Sequence, residues 1–266
     1  GFILLLISLS SYSQVTFKNQ GFESSAADDL SYTVSSGTNV TTSTATSMSG
    51  ARSLRFASTT NAVFENVNIV GYSNVQVLIA FAATDVDNNE DLFVEFSYDN
   101  GVNYSTSIKL VDGNSNKVLA FGTGDASPGQ SSNPYTFNVP AGNDTVRVRV
   151  RAVGLDANEY YYIDNVTYRG IEVPEINLQG NGNDISNGST SISTTIDTDF
   201  GTAPGTKTYT IENLGTNTLT LSSASSSNSD YAVSLSSSTI APGGTATLTV
   251  VLSATTSGIK DATISI

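Results

Sequence analysis

The chain has 266 residues and a formal net charge of −13, with 24 acidic and 11 basic side chains. This balance argues against nucleic acid or an anionic membrane as a partner, because both would repel the chain. Cysteine and histidine are absent, which excludes disulfides, thiolate nucleophiles, Ser-His-Asp triads and the usual zinc ligands. Charged residues make up only 13% of the chain, a profile typical of extracellular β-proteins whose surface is rich in Ser, Thr, Asn and Gly.

The chain opens with an apolar run at residues 2–7, followed by small polar residues up to Ser13. The run is too short to span a bilayer and is typical of the hydrophobic part of a secretory signal peptide that is cut near Gln14. We therefore expect residues 1–13 to be a signal-peptide remnant. The mature protein is then secreted or displayed on a bacterial cell surface, with no membrane insertion after cleavage. A buried first strand is the alternative.

Residues 15–170 alternate short apolar-periodic runs with turn clusters, and no long segment has a helical period. This pattern predicts an antiparallel β-sandwich. The clearest strands are expected at residues 75–81, 92–98 and 145–151. The sequence Asp-Asn-Gly at 99–101 predicts a hairpin turn, with the next strand resuming at 102–104. In residues 145–151 the valines are expected to face a core and the arginines to face away from it.

Residues 170–174 are the expected linker to a second module, because the chain from Glu175 onward is poor in charge and rich in Ser and Thr. Strands are expected at 207–212, 218–222, 231–235, 245–252 and 261–266, with a turn at 240–244. Because the sequence stops inside the last of these strands, we expect a sandwich that is truncated at its C-terminus and leaves an edge open to pairing.

The second module, residues 174–266, resembles the immunoglobulin-like repeat known as the choice-of-anchor D domain. The resemblance rests on five blocks in order, at residues 174–182, 198–201, 209–215, 240–244 and 257–266. The family usually has a proline where Ala254 or Thr255 stands here. Such repeats lie between a functional domain and a surface-sorting tail in exported bacterial proteins, so the resemblance implies a spacer and no activity.

The first module resembles a jelly-roll sandwich of the carbohydrate-binding type. Residues 19–24 (NQGFES) and 161–167 (YYIDNVT) are similar to the first and last strands of those modules. The resemblance implies a structural Ca²⁺ held by Glu23 and Asp164. The alternative is that either carboxylate caps a turn.

A second calcium hypothesis concerns the acidic segment at residues 85–91 (DVDNNED). Asp85, Asp87, Asn89 and Asp91 place hard oxygen ligands at closely spaced positions, as Ca²⁺ requires. The segment lacks the glycine and the spacing of an EF-hand. A solvated acidic loop is the alternative.

Two groups of side chains are candidates for ligand binding. Arg147, Arg149 and Arg151 lie on one face of one strand in an otherwise acidic chain and could bind carboxylate sugars, or they could pair across strands with acids such as Glu95. Tyr160 and Tyr162 point to the same side of the last strand, where a ring could stack on a sugar or seal a core.

These observations favour a non-enzymatic carbohydrate-binding or adhesion module on an immunoglobulin-like spacer, with a polysaccharide or surface glycan as partner and calcium as a stabilising ion. The 24 acids do not exclude two-carboxylate hydrolysis, but no Glu pair is flanked by cleft-forming aromatics and tryptophan is absent. An accessory region of a secreted hydrolase, with its catalytic domain beyond residue 266, is one alternative. A purely structural stalk is another.

Overall fold

The structure is a computed structural model that describes residues 13–35, 40–84, 86, 89–113, 134–155, 158–202, 204–254 and 256–266. Every regular element among these residues is a β-strand, so the all-β prediction is confirmed. No helix in these ranges is long and apolar enough to cross a membrane. The chain divides into two compact units, one formed by residues up to Ile69 with Ser73–Ile171 and the other by Val70–Tyr72 with Glu172–Ile266. Residues 1–12 of the expected signal peptide lie outside the described residues.

The first half of the chain forms two antiparallel sheets. Sheet 1 has the strand order β10-β7-β12-β4-β3, with β1 also paired to β12, and sheet 2 has the order β2-β5-β11-β8-β9, with β6 also paired to β11. The strands are β1 (Val15–Gln20), β2 (Tyr32–Val34), β3 (Val40–Ser43), β4 (Ser53–Phe56), β5 (Thr60–Phe64), β6 (Val67–Asn68), β7 (Tyr72–Thr84), β8 (Asp91–Ser97), β9 (Ile108–Asp112), β10 (Tyr135–Asn138), β11 (Thr145–Val153) and β12 (Tyr160–Glu172).

Strand β11 shows how the core of this sandwich forms. Val146, Val148 and Val150 have no exposed surface, whereas the arginines between them are partly exposed. The predicted orientation of the valines is therefore confirmed. Fully burying a side chain of this kind stabilises the fold by about 1.5–3 kcal/mol. Aromatic rings from both sheets meet in the interior, where Phe96 of β8 and Phe137 of β10 lie with ring centroids 5.1 Å apart.

The turn after β8 has the predicted residues at its tip but a longer connection than predicted. Asn100 and Gly101 adopt positive φ values of 62° and 89°, as the Asp-Asn-Gly sequence requires. The strand expected at residues 102–104 is wrong, because β9 begins at Ile108. The amide and the side-chain nitrogen of Asn103 donate to the Asp99 carboxylate at 2.9 and 2.7 Å, so this segment folds back onto Asp99 and does not continue the ladder.

Asp99 gives the turn a predictable dependence on pH. The hydrogen bond from the Asn103 amide, with those from Ser97 and the Asn103 side chain, lowers the pKa of Asp99 from its ordinary value of 3.8 to about 2. Because the folded-state pKa is the lower one, the stabilising contribution of Asp99 is complete above pH 4 and is lost as the pH falls through 2. We expect Asp99→Asn to remove this part of the acid sensitivity in urea unfolding between about pH 4 and 2.

Asp144→Asn is the matched control, because the Asp144 side chain accepts no hydrogen bond from a described residue. Identical slopes of unfolding free energy against pH in wild type and Asp99→Asn would contradict the assignment.

The second half of the chain forms a five-stranded antiparallel sheet in the order β14-β13-β15-β20-β18 and two pairs, β16 with β19 and β17 with β21. Tyr209, Ile211, Leu248 and Val250 lie at the centre of its hydrophobic core. The strands are β13 (Ile176–Gly180), β14 (Asn183–Asp184), β15 (Gly205–Asn213), β16 (Leu219–Thr220), β17 (Ser225–Ser226), β18 (Tyr231–Leu235), β19 (Thr239–Ile240), β20 (Thr245–Leu252) and β21 (Ile264–Ser265).

Two strands predicted in this half are shorter in the structure. The one expected at residues 261–266 is reduced to β21 and the one expected at 218–222 to β16. Side chains bind the backbone before β21, because the Tyr231 hydroxyl donates to the Lys260 carbonyl at 2.7 Å and the Thr263 amide donates to Ser227 Oγ at 2.8 Å. These backbone groups are therefore not in a ladder. The strands expected at 231–235 and 245–252 are confirmed.

Candidate functional site

The outer face of sheet 2 carries the arginines of β11 beside a buried carboxylate. Arg149 lies between Val63 of β5 and Glu95 of β8 in the strand register, and Arg151 lies between Asn61 and Phe93. Glu95 Oε2 accepts from Arg149 Nε at 2.5 Å, and Glu95 Oε1 from Arg151 Nη2 at 3.4 Å. The cross-strand pairing with Glu95 that the sequence left open is therefore present.

Two aromatic rings pack against the guanidinium groups of the same arginines. The guanidinium carbon of Arg149 lies 3.8 Å from the centroid of the Tyr104 ring, and that of Arg151 lies 4.6 Å from the centroid of Phe93. The Arg149 and Arg151 side chains are 30% and 33% exposed. Each guanidinium is thus fixed by a carboxylate and by a ring, and it presents its remaining surface to solvent. We call Arg149, Arg151, Glu95, Tyr104 and Phe93 the arginine platform.

Glu95 is ionised within this arrangement although its side chain is only 5% exposed. Burial raises the pKa of Glu95, but hydrogen bonds from Ser107 and Arg149 and the charges of both arginines outweigh burial and hold the pKa below its ordinary value. Ser107 Oγ donates to Glu95 Oε1 at 2.5 Å and also accepts from Arg151 Nη2 at 3.3 Å. One buried carboxylate therefore orients two arginines and a serine.

Removing Glu95 should destabilise the protein. Glu95→Ala leaves two neighbouring guanidinium groups without their acceptor, and we expect a loss of about 2–3 kcal/mol in the free energy of unfolding, reduced from the fully buried case by the exposure of both arginines. Glu95→Gln keeps an acceptor oxygen and should lose less. Urea titration at neutral pH measures both values. A loss below about 0.5 kcal/mol for Glu95→Ala would contradict this assignment.

The second aromatic candidate lies on the outer face of sheet 1. Tyr161 has no exposed surface and lies in the core, which leaves Tyr160 and Tyr162 on the opposite side of β12 with ring centroids 6.3 Å apart. Tyr162 is 3% exposed, whereas Tyr160 is half-buried. The guanidinium of Arg55, from β4, lies 4.8 Å from the Tyr160 centroid. Among these rings, Tyr160 is the one with surface available to a ligand.

Glu23 and Asp164, which are 141 positions apart in the sequence, hold the same short segment. Glu23 Oε1 accepts from the amides of Ala51 and Arg52, both at 2.8 Å. Asp164 Oδ2 accepts from the amides of Met48 and Ser49 at 3.0 and 2.9 Å. Both carboxylates therefore accept hydrogen bonds from backbone amides of residues 48–52. The turn-capping role that the sequence left open is present.

The same pair of carboxylates has no cationic partner among the residues that the structure describes. Asp164 has no exposed surface, and its pKa is raised by burial and by the nearby Glu23 charge, against the hydrogen bonds that it accepts. Within the described part of the chain neither carboxylate pairs with a lysine or arginine, and Glu23 Oε2 accepts no hydrogen bond. Carboxylate oxygens are the ligand type that calcium takes, and of the four oxygens in this pair Glu23 Oε2 is the one that accepts no amide among the described residues.

The acidic segment at 85–91 is only partly described. Asp85 and Asp87 lie outside the described residues, and Asn89 is exposed with a positive φ of 70°. Asp91 does not lie in a loop as expected: it begins β8 and pairs with Lys109, with Asp91 Oδ1 and Lys109 Nζ 3.2 Å apart. No cluster of three or more acidic side chains suited to a metal occurs in the ranges that the structure covers.

Several site residues were not identified from the sequence. Strand register or a turn brings four further residues to the two surfaces, namely Tyr104, Phe93, Ser107 and Arg55. The one available signal was the alternation in β8, which places Phe93 and Glu95 on the same side of the sheet.

Comparison with known families and proteins gives a partial match. Residues 194–266 match the family model described as "HYDIN/CFA65/VesB-like, Ig-like domain". This match supports an immunoglobulin-like second module, while the choice-of-anchor D assignment is not shown by it. No curated protein matches the chain.

Solved structures with a similar chain course include three binding domains. TmCBM61 in complex with β-1,4-galactotriose is 13% identical, with 57% of this chain and 95% of that chain covered and a TM-score of 0.37. The K3 cleaved adhesin domain of Lys-gingipain from Porphyromonas gingivalis W83 is 16% identical, with 58% and 99% covered and a TM-score of 0.38. A xylan-binding domain from CBM 22 is 14% identical, with 59% and 95% covered and a TM-score of 0.33. Similarity at this level does not identify a ligand.

Proposed function

We propose that the first module is a non-enzymatic glycan-binding or adhesion module of an exported bacterial surface protein. The arginine platform carries this proposal. Planar groups that are held rigid and left partly exposed can stack on sugar rings and donate hydrogen bonds to their oxygens. The platform is also a cationic patch on a chain whose net charge is −13. The ligand class of the binding domains named above agrees with a glycan and is not evidence for one.

The second module is, in this proposal, a spacer of the choice-of-anchor D kind. An immunoglobulin-like family model matches most of it, and the described outward positions of β15 and β20 are mainly threonines (Thr206, Thr208, Thr210, Thr245, Thr247 and Thr249). Such a surface presents no charged cluster or cleft residues that would assign it a ligand.

Calcium is the proposed stabilising ion of the first module. Glu23 and Asp164 would bind it directly, and the ion would compensate the two carboxylate charges beside residues 48–52. The ion supplies charge and cross-linking to the fold and no chemistry. Because Asp85 and Asp87 are undescribed, a second calcium at residues 85–91 stays a prediction from the sequence.

Glycan binding is tested with the full chain against a panel of soluble polysaccharides by affinity electrophoresis and calorimetry. Tyr104→Ala removes the ring that holds the Arg149 guanidinium in place without stranding a charge, and we expect it to weaken binding about tenfold, as for truncation of an important interface residue. Tyr160→Ala, on the outer face of sheet 1, is the matched control and should bind like wild type.

The other outcomes are equally informative. Weakened binding in Tyr160→Ala with Tyr104→Ala unchanged would move the site to Tyr160. Absence of binding to every polysaccharide at millimolar concentration would reject the proposal in favour of a structural stalk. A metal or nucleophile motif in sequence beyond residue 266 would favour the accessory region of a hydrolase.

Calcium binding is tested by thermal unfolding. At a calcium concentration 100 times the dissociation constant the folded state gains about 2.7 kcal/mol, which should raise the melting temperature by roughly 5–10 °C relative to chelator. Glu23→Gln should abolish the response, whereas the exposed Asp144→Asn should keep it. The same melting temperature in calcium and in chelator would remove the ion from the proposal.

A further inference from the structure

A small cleft lies on the outer face of sheet 2, one row along β11 from the arginine platform. Its volume is about 190 Å³. Its lining includes Arg147 of β11, Thr33 of β2 and Val63 of β5. Ser31, just before β2, and Glu65, just after β5, also line it. Val63 pairs with Arg149 in the strand register, so the cleft is continuous with the platform.

Arg147 differs from the other two arginines of β11 in having no ion-pair partner among the described residues. Its Nε is buried and donates to no acceptor among the described residues, and within the same residues Arg147 forms no ion pair. A buried donor without an acceptor is costly, and native structures usually satisfy it with protein, water or a ligand. Arg147 is therefore the arginine of this strand whose Nε has no acceptor among the described residues.

The remaining charge in the cleft is already compensated. Glu65 lies 3.1 Å from Lys18 Nζ and accepts from Ser31 Oγ at 2.7 Å. Glu95 likewise neutralises part of the charge of Arg149 and Arg151. Among the described residues that line the cleft, the charge without an opposite partner is therefore the positive charge of Arg147.

The size of the cleft limits what it can hold. Pockets for drug-sized ligands begin at about 300 Å³, so this cleft suits one sugar residue of a longer chain. A planar guanidinium binds a carboxylate through two parallel hydrogen bonds. The hydroxyl oxygens of Ser31 and Thr33 have lone pairs that can accept from sugar hydroxyls.

We infer that this cleft is a subsite for a sugar residue that carries a carboxylate, and that Arg147 binds that carboxylate. The glycan ligand is accordingly an acidic one, such as a polyuronate. Arg149 and Arg151 contact the neighbouring sugar residues of the polysaccharide with the planes of their guanidinium groups. These two arginines do not select for the carboxylate. This inference rests on the glycan-binding proposal and adds the ligand class to it.

The test compares two forms of one polysaccharide, polygalacturonate and its fully methyl-esterified form, in which each carboxylate is replaced by an uncharged methyl ester. Wild type should bind the acid form at least about tenfold more tightly, as expected for one charge-assisted pair. Arg147→Gln should bind both forms with the same affinity. Arg147→Lys should retain part of the preference through its point charge. Calorimetry at fixed salt measures all six affinities.

Control variants distinguish failure of the acidic subsite from failure of the glycan-binding proposal. Tyr104→Ala should weaken both forms by the same factor and keep the preference, whereas Arg169→Gln, on the outer side of sheet 1, should change nothing. Equal binding of both forms by wild type, or an unchanged preference in Arg147→Gln, would overturn the acidic subsite and leave the glycan-binding proposal standing. Failure of wild type to bind either form or any neutral polysaccharide would overturn both.

A ligand-free measurement distinguishes a subsite from a structural role. Because Arg147 Nε has no partner, Arg147→Gln should melt at the same temperature as wild type or higher. A lower melting temperature would assign Arg147 to the fold and overturn the inference.

Discussion

Alternation along β11 is the constraint on which the first module depends. Neighbouring residues of a strand point to opposite faces of the sheet, so a sequence that repeats Val-Arg places a dry core and a charged surface on the two sides of one backbone. A shift of the register by one residue would bury the arginines and expose the valines. The core therefore fixes where the arginines stand, and their chemistry is a consequence of the packing on the other side.

Glu95 converts this row of arginines into a defined surface. Like-charged side chains on one strand would otherwise avoid one another. The buried carboxylate attracts Arg149 and Arg151, and Tyr104 and Phe93 support their planes. Arg147 lies opposite Ser97 in the register and so lacks a carboxylate neighbour on β8. This strand thus carries two arginines that pair with Glu95 and one, Arg147, that has no ion-pair partner among the described residues.

Much of this arrangement could be predicted from the sequence, because alternation depends only on local order. The valines of β11, the turn tip at Asn100 and Gly101, and Glu95 as a partner of the arginines were all accessible in this way. The contacts of Tyr104 were not, because the segment after the turn binds Asp99 and does not form the expected strand. The cleft at Arg147 was not accessible either, since it depends on the register of β2, β5 and β11.

The contact between Glu23, Asp164 and residues 48–52 could not be predicted from local sequence order. Their pairing came from a resemblance, and no local pattern links positions so far apart in the chain. What the resemblance did not reveal is that both side chains bind the amides of residues 48–52. Residues 48–52 are therefore bound to the segment that follows β1, through Glu23, and to β12, through Asp164.

The fixed geometry of the arginine platform also has an entropic consequence. A free arginine side chain carries about 2 kcal/mol of rotamer entropy, part of which is lost when a ligand immobilises it. In Arg149 and Arg151 the carboxylate and the rings restrict those rotamers when the protein folds. A ligand that binds the platform therefore contacts side chains whose rotamers are already restricted. Less rotamer entropy is lost on binding, so contacts with an exposed surface can contribute more of their interaction energy to affinity.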